Sequence, residues 1–436
     1  MSTPDSDQNT VPGPSDPVAL GIDPQSLDLL RTLQHEYGDV VAINRASGRR
    51  GLFINKPDLI HRLLVKHHDK FHKGPGFERV KMLLGNGLIV SDGTTWRRSR
   101  RMIQPAFSRK HLHKLLQMMH SCCLNRAQRW TELAASNADV DVTREMNDAG
   151  LELILRAIFG EDYDRSIVSN GTNPFAFLSE DSTRDLRVVM QVRELRSLIL
   201  AIIEQRREQP AETDYDFLTM LMGQKDKEGV GFTDKELLDE IITLTVAGYE
   251  TSAGTLNWAW YLIATHPEVE SRLLAEYASL YSPAEEVDAA LLMSLTYSQQ
   301  VLDETLRLYP PVWLFTRRAV TAFELDDIVI HEGTDIYISP LVLQTTEAHW
   351  PNPDSFEPQR YAPDKSIEDG LSLPFSLGPR RCLGEYFSFM EMKLMLATLL
   401  PKFKLEPQTD VHPELELGIN LRSSDAIRLN ITSRAS

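Results

Sequence analysis

Cysteine is scarce in this chain: its 436 residues hold three, two of them adjacent at Cys122 and Cys123. So few exclude a disulfide scaffold and point to a reducing compartment, the cytoplasm. The first residues lack any apolar run; Met1 to Pro17 is rich in Ser, Asp and Pro, which excludes a signal peptide or membrane anchor there. Residues 1–18 are expected to be a disordered tail, followed by one domain over residues 19–436. Positive charge is in deficit, 46 Lys and Arg against 62 Asp and Glu, a net charge of −16 that argues against a nucleic-acid partner. His67, His68 and His72 lie close together, but their spacing matches no zinc site and suits a solvated helix face.

The third cysteine has an unusual frame. Cys382 lies in Phe375-Ser-Leu-Gly378-Pro-Arg380-Arg-Cys382-Leu-Gly384, a turn-rich loop that runs into an apolar helix expected from Leu383 to about Leu400. At a helix N-terminus, unpaired N–H groups and the dipole favour a thiolate, and Arg380 and Arg381 add positive charge. Gly378 and Gly384 let the loop lie flat against something large and planar. Haem iron with an axial cysteine meets these conditions; a buried structural cysteine is the plain alternative.

The pattern Phe-x-x-Gly-x-Arg-x-Cys-x-Gly, followed by a helix, closely resembles the haem-binding signature of the cytochrome P-450 family. The resemblance covers most of the chain from about residue 20. It implies a mainly α fold with small β-sheets (α+β), one large helical domain holding haem b between a long central helix and the cysteine loop. It makes Cys382 the proximal ligand and sends Arg380 to a haem propionate. Phe375 would shield the sulfur, and N–H groups near Gly384 would bond it.

Three more motifs fall in the order that family requires. Trp96 and Arg100 lie four apart on one helix face; they could be simple cation–π packing, or, by the resemblance, two donors to a propionate. Thr233-Asp-Lys-Glu236 is a capping box that opens a helix of about 33 residues, roughly 50 Å long. In its middle stands Ala247-Gly248-Tyr249-Glu250-Thr251. Thr251 could merely bond back to its own i−4 carbonyl. By the resemblance, Gly248 allows a kink that opens a groove for dioxygen, Thr251 bonds the iron-bound oxygens and Glu250 relays protons. Glu304 and Arg307, usually a weak surface pair at this spacing, would form with Arg360 a buried scaffold behind the cysteine loop. Arg317, or its neighbour Arg318, would bind a propionate.

Function is therefore expected to be that of a soluble, bacterial-type haem-thiolate monooxygenase, inserting one oxygen atom of O2 into an apolar fatty acid, terpenoid or polyketide-like substrate. No flavin or iron–sulfur signature is present, so electrons would come from a separate ferredoxin or flavodoxin with an NAD(P)H-dependent reductase. Trp96 to Lys114 carries seven Arg and Lys and no acid, either a solvated face or a docking patch for an acidic carrier. A peroxide-dependent or isomerising member of the family, or a non-catalytic haem sensor or carrier, is the alternative. Finally, residues 161–180 leave no room for an ordinary lid helix ahead of the one expected at Thr183 to about Arg207. Pro174-Phe-Ala-Phe-Leu178 is expected there as an apolar flap, with Val312 and Phe315 lining the pocket.

Overall fold

The computed structural model describes residues 11–21, 23–45, 48–136, 138–168, 173–176, 186–211, 215–278, 287–408 and 413–434. Helix α1 (Pro24–Tyr37) is capped by Asp23, whose carboxylate accepts the Ser26 N–H at 2.7 Å. Strands β1 (Val40–Asn44) and β2 (Arg50–Ile54) then pair antiparallel, with Val41 opposite Phe53. Next come β3 (Phe71–Lys73), α2 (Phe77–Leu84), α3 (Gly93–Ile103), α4 (Leu116–Ala135), β4 (Asp139–Asp141) and α5 (Val142–Phe159). The following helices are α6 (Leu186–Glu208), α7 (Phe217–Gly223), α8 (Asp234–Thr265) and α9 (Thr296–Leu308). Strands β5 (Phe315–Ala319), β6 (Phe323–Leu325), β7 (Ile328–Ile330) and β8 (Asp335–Ile338) precede α10 (Glu385–Leu399). The chain closes on β9 (Phe403–Pro407), β10 (Leu415–Leu417), β11 (Leu421–Ser423) and β12 (Arg428–Ser433).

The largest sheet has the order β1-β2-β8-β5-β3, so strands from both halves of the chain meet in it. Residues 11–18, expected within the disordered tail, instead lie beside β1. The Ala42 N–H donates to the Pro12 carbonyl at 2.8 Å and the Val18 N–H to the Asn44 carbonyl at 2.6 Å. β1 is the edge of its sheet, and these contacts satisfy backbone groups that would otherwise stay open. Residues 1–10 lie outside the described residues.

α8 is the axis of the helical part. Thr233 and Glu236 form the expected capping box: the Thr233 N–H donates to the Glu236 carboxylate at 2.8 Å, and Thr233 Oγ1 accepts the Glu236 N–H at 3.3 Å. The helix spans 32 residues and is buried over most of its length, so most of its stability comes from the apolar surface it removes from water. It needs no amphipathic stripe because α5, α9 and α10 enclose it. α6 buries Leu195, Ile199, Ile202 and Ile203, the later part of the apolar stripe read from the sequence. Residues 183–185, expected to open it, and the caps expected at Asp181 or Ser182 lie outside the described residues. Tyr163–Ile167 makes a single π-turn. Phe175 is fully buried and packs on Phe159 with ring centroids 6.0 Å apart; Phe177 and Leu178 lie outside the described residues.

Behind the cysteine loop, Glu304 and Arg307 are wholly buried and paired at 2.7 Å, with Arg360 Nε 3.2 Å from Glu304. Arg307 also donates to the carbonyls of Gln344 at 2.8 Å, Pro353 at 2.7 Å and Ser355 at 3.0 Å. A buried guanidinium left unpaired would cost several kcal/mol, of order 3–5. Satisfied on every side, it fixes the loops around it.

Candidate active site

The cysteine loop is held by its own backbone. The Cys382 N–H donates to the Phe375 carbonyl at 2.9 Å and the Arg381 N–H to the Gly378 carbonyl at 3.0 Å. Gly378 takes φ 68°, and a Cβ there would sit 2.2 Å from the Leu64 carbonyl oxygen; only glycine lets the loop lie this close to its neighbour. The Phe375 ring packs on Phe389 of α10, centroids 5.2 Å apart. α10 begins at Glu385 with Gly384 as its N-cap.

Cys382 is exposed by surface area, yet its thiol is closely surrounded by protein atoms. Burial pushes its thiol up, against the N–H groups of Gly384 and Glu385 and the Arg100 guanidinium, which pull it down. With no metal at the sulfur, desolvation outweighs the helix terminus and the arginine that favour a thiolate. A metal cation bound at the sulfur would reverse that balance. Cys122 and Cys123 are buried in α4, the first pushed up to about 12.

Beside the loop lies an uncompensated group of cations. Arg380 pairs with Asp92, donates to the Ser91 carbonyl at 3.1 Å and lies over the Trp96 ring, 4.4 Å from its centroid. Arg317 is buried and donates to the carbonyl of Thr316 at 2.9 Å; burial pushes it down to about 10. Arg318 points the other way and pairs with Asp335 at 2.7 Å, so alternation along β5 puts Arg317, not Arg318, toward the cluster. Directly opposite Arg317 in the β3–β5 register stands Lys73. Burial pushes Lys73 well below its ordinary value, and Arg317 and Arg380 push the same way. Like charges placed face to face across a ladder repel. Arg100 donates to the Arg381 carbonyl at 2.8 Å, and burial pushes it down as well.

Lys73, Arg100, Arg317 and Arg380 therefore face one carboxylate, Asp92, and one thiol. Further carboxylates placed there would offset the excess positive charge. Haem b carries two carboxylates and an iron that takes a thiolate, and these residues fit it. Leu63, Leu64, Phe71, Ile336, Ile338 and Leu377 line an apolar cleft at the cluster's edge.

The middle of α8 is the less buried part of that helix. Val246, Ala247, Gly248, Glu250, Thr251 and Gly254 are half-buried between fully buried turns, so this stretch borders an opening. The Thr251 hydroxyl donates to the Ala247 carbonyl at 2.9 Å, the back-bond considered as its plain reading, and Oγ1 retains lone pairs for a second partner. Glu250 Oε1 lies 3.9 Å from Arg422 of β11. Gly248 lies inside the unbroken helix. A Cβ there would lie 2.6 Å from Ile154 Cδ1 of α5; the missing side chain admits a neighbouring helix. Phe315 is buried, and Val312 is 38% exposed.

Lys73, Asp92 and Arg422 had no local sequence signal. Each gains its place only through pairing with residues far along the chain. The basic stretch divides: Arg97, Arg101, Arg109, Lys110 and Lys114 are exposed, whereas Arg98 turns to Asp226 at 2.7 Å and Glu236 at 2.9 Å. Among the described residues, no group of His, Cys, Asp and Glu could hold a metal ion, and no helix is long and apolar enough to cross a membrane.

A crystal structure of a cytochrome P450, CYP102L1, shares this fold: it superposes with a TM-score of 0.85 at 22% identity, covering 97% of this chain and 98% of that one. The chain belongs to the cytochrome P450 family, whose sequence model matches residues 19–428. It is a haem b monooxygenase of bacterial type. Among similar proteins, cyclooctatin synthase of Streptomyces melanosporofaciens is 31% identical over 88% of this chain and 87% of its own length. Pentalenene oxygenase of Streptomyces avermitilis is 29% identical, over 86% and 87%.

Proposed function

We propose that this monooxygenase oxidises a polycyclic terpenoid, with Cys382 as the proximal ligand of its haem and Glu250 and Thr251 as the proton-handling pair. The ligand assignment rests on one observation. Cys382 alone among the three cysteines is exposed, and it lies beside the Arg100 guanidinium at the edge of the cation group. When bound, haem supplies the binding and reductive activation of dioxygen. The chain does the rest. Trp96, Arg100, Arg317 and Arg380 take the propionates, and Asp92 keeps Arg380 in place. N–H groups of Gly384 and Glu385 stabilise negative charge on the sulfur, and Phe375 keeps water from it. Thr251, once its hydroxyl turns from the Ala247 carbonyl, offers a proton into the opening, and Glu250 resupplies it from solvent. The presence of this acid–alcohol pair favours oxygen insertion over a peroxide-dependent or isomerising activity.

The substrate class is supported by the relatives' names, cyclooctatin synthase, pentalenene oxygenase and cyclooctat-9-en-7-ol 5-monooxygenase. Electrons would arrive from an acidic ferredoxin or flavodoxin, with its NAD(P)H-dependent reductase, at the exposed cations Arg97, Arg101, Arg109 and Lys110. Arg100 ties the helix bearing the first two to the cysteine loop. The test has two arms. Cys382→Ser should lose the red-shifted Soret band of the reduced carbon monoxide complex while keeping its helix content; retention of that band would overturn the ligand assignment. Terpene hydrocarbons and alcohols should shift the Soret band of the wild type at lower concentration than C12–C18 fatty acids, and the reverse order would overturn the substrate class.

A further inference from the structure

We propose that Arg422, on β11, is a positioning residue that sets the orientation and charge of Glu250. The proposal rests on the proton-handling reading of Glu250 and Thr251 given above. Glu250, Gly254 and Asn257, spaced by four and three, share one face of α8, and β11 lies along that face. Arg422 Nη1 is 3.9 Å from Glu250 Oε1, a Cβ on Gly254 would be 4.0 Å from the Leu421 carbonyl oxygen, and Asn257 Nδ2 donates to Ser423 Oγ at 3.2 Å. Further bonds anchor the strand independently. The Leu421 N–H donates to the Pro311 carbonyl at 2.8 Å, while Thr143 Oγ1 donates to Asn257 at 2.9 Å and accepts the Ile427 N–H at 2.9 Å.

The guanidinium is thus delivered to Glu250 by a braced hairpin and not by a loose surface arm. Its Nε is buried without a hydrogen-bond partner, which leaves the side chain's polar reach directed by its other nitrogens. A separation of 3.9 Å exceeds the roughly 2.7–2.9 Å of a charge-assisted hydrogen bond. Arg422 attracts the carboxylate without locking it. Thr251 follows Glu250 by one residue, about 100° around the helix. In each cycle the Glu250 carboxylate takes one proton from solvent, yields it toward the Thr251 hydroxyl, and returns to the ionised form that Arg422 favours. No electron moves in that exchange. Burial pushes the phenol of Tyr249, in the same turn, up; Glu250 adds to that push and Arg422 opposes it.

The test uses substrate-free holoenzyme with ferredoxin, reductase and NADPH, reading oxygen uptake and the fraction released as peroxide from pH 5 to 8. Arg422→Gln should raise the peroxide fraction several-fold and move the acidic limb of the profile up by at least half a pH unit, because Glu250 loses its cation. Arg422→Lys should restore most of both. The double variant with Glu250→Gln should be no worse than Glu250→Gln alone. Asn257→Ala removes the bond to Ser423 while the Leu421–Pro311 bond still holds the strand and its charge, so it should leave the pH profile in place; a profile shifted as far as in Arg422→Gln would make Arg422 a mere part of the hairpin and overturn the proposal. So would wild-type behaviour of Arg422→Gln where Glu250→Gln is impaired. If Glu250→Gln itself behaves as wild type, the underlying reading of Glu250 fails and this proposal falls with it.

Discussion

Gly248 offers a decisive test, because its two readings demand opposite outcomes from one methyl group. Replacing glycine by alanine inside a helix ordinarily stabilises it by about 1 kcal/mol. Here the new Cβ would meet Ile154 Cδ1 at 2.6 Å and Cγ1 at 2.7 Å. Carbon atoms rest at about 3.5–4 Å, so one side must yield by roughly 1 Å, and overpacking of this kind costs about 1–3 kcal/mol. Gly248→Ala should therefore be neutral to destabilising by about 2 kcal/mol, losing the helical gain. Ile154→Ala alone should cost about 2–5 kcal/mol, as buried aliphatic truncations do. It removes both offending atoms and leaves Cβ at 3.6 Å. The double variant should then be more stable than the sum of the singles by about 1–3 kcal/mol. Urea midpoints of the holoenzyme read the stabilities, and carbon monoxide rebinding after flash photolysis reads access to the iron. A packing glycine requires coupling in stability and normal rebinding in the double variant. Additive stabilities, with rebinding still slowed, would place the methyl in the gas-binding groove and refute the reasoning.

Two further outcomes follow from the charges. Glu391 of α10 is wholly buried, neither of its carboxyl oxygens has a good hydrogen-bond partner, and burial pushes it up to about 8, with Ser252 the polar group opposing the shift. A carboxyl raised in the folded state binds its proton more tightly there, so its stabilising contribution is complete below about pH 4.5 and is lost as pH rises toward 8. Wild type should lose roughly 3–4 kcal/mol between pH 5 and 8 through this group, at up to about 1.4 kcal/mol per unit, and Glu391→Gln should flatten that slope in urea titrations; an unchanged slope would assign the loss elsewhere. Charge reversal at Arg97, Arg101 and Lys110 should slow reduction by an acidic ferredoxin at least tenfold at low salt and weaken its salt dependence, with terpene-induced Soret shifts unaltered. Stopped-flow reduction at the wild-type rate would leave the basic stretch a solvated face.

Much of this protein is written locally. The cysteine loop needs a glycine at φ 68° beside Leu64, and Gly378 supplies it. The central helix announces its own start, since Thr233 and Glu236 cap each other within four residues. Glu304 and Arg307 sit one helical turn apart, so their pairing was visible, although only burial by the loops at Gln344, Pro353 and Ser355 turns a weak surface pair into a scaffold. Tertiary structure decided what spacing could not carry. Lys73 joins the cation cluster because β3 pairs with β5 from far along the chain. Glu250 meets Arg422 because a hairpin near the C-terminus is laid along α8. Gly248 is a helix-packing position only because Ile154 presses against it. The thiol of Cys382 goes up where its helix terminus argued for down. Dipoles, caps and turns act over a few residues of the same chain, and so they can be read in order. Desolvation and the company of like charges depend on everything folded around a group, and no single stretch of sequence contains them.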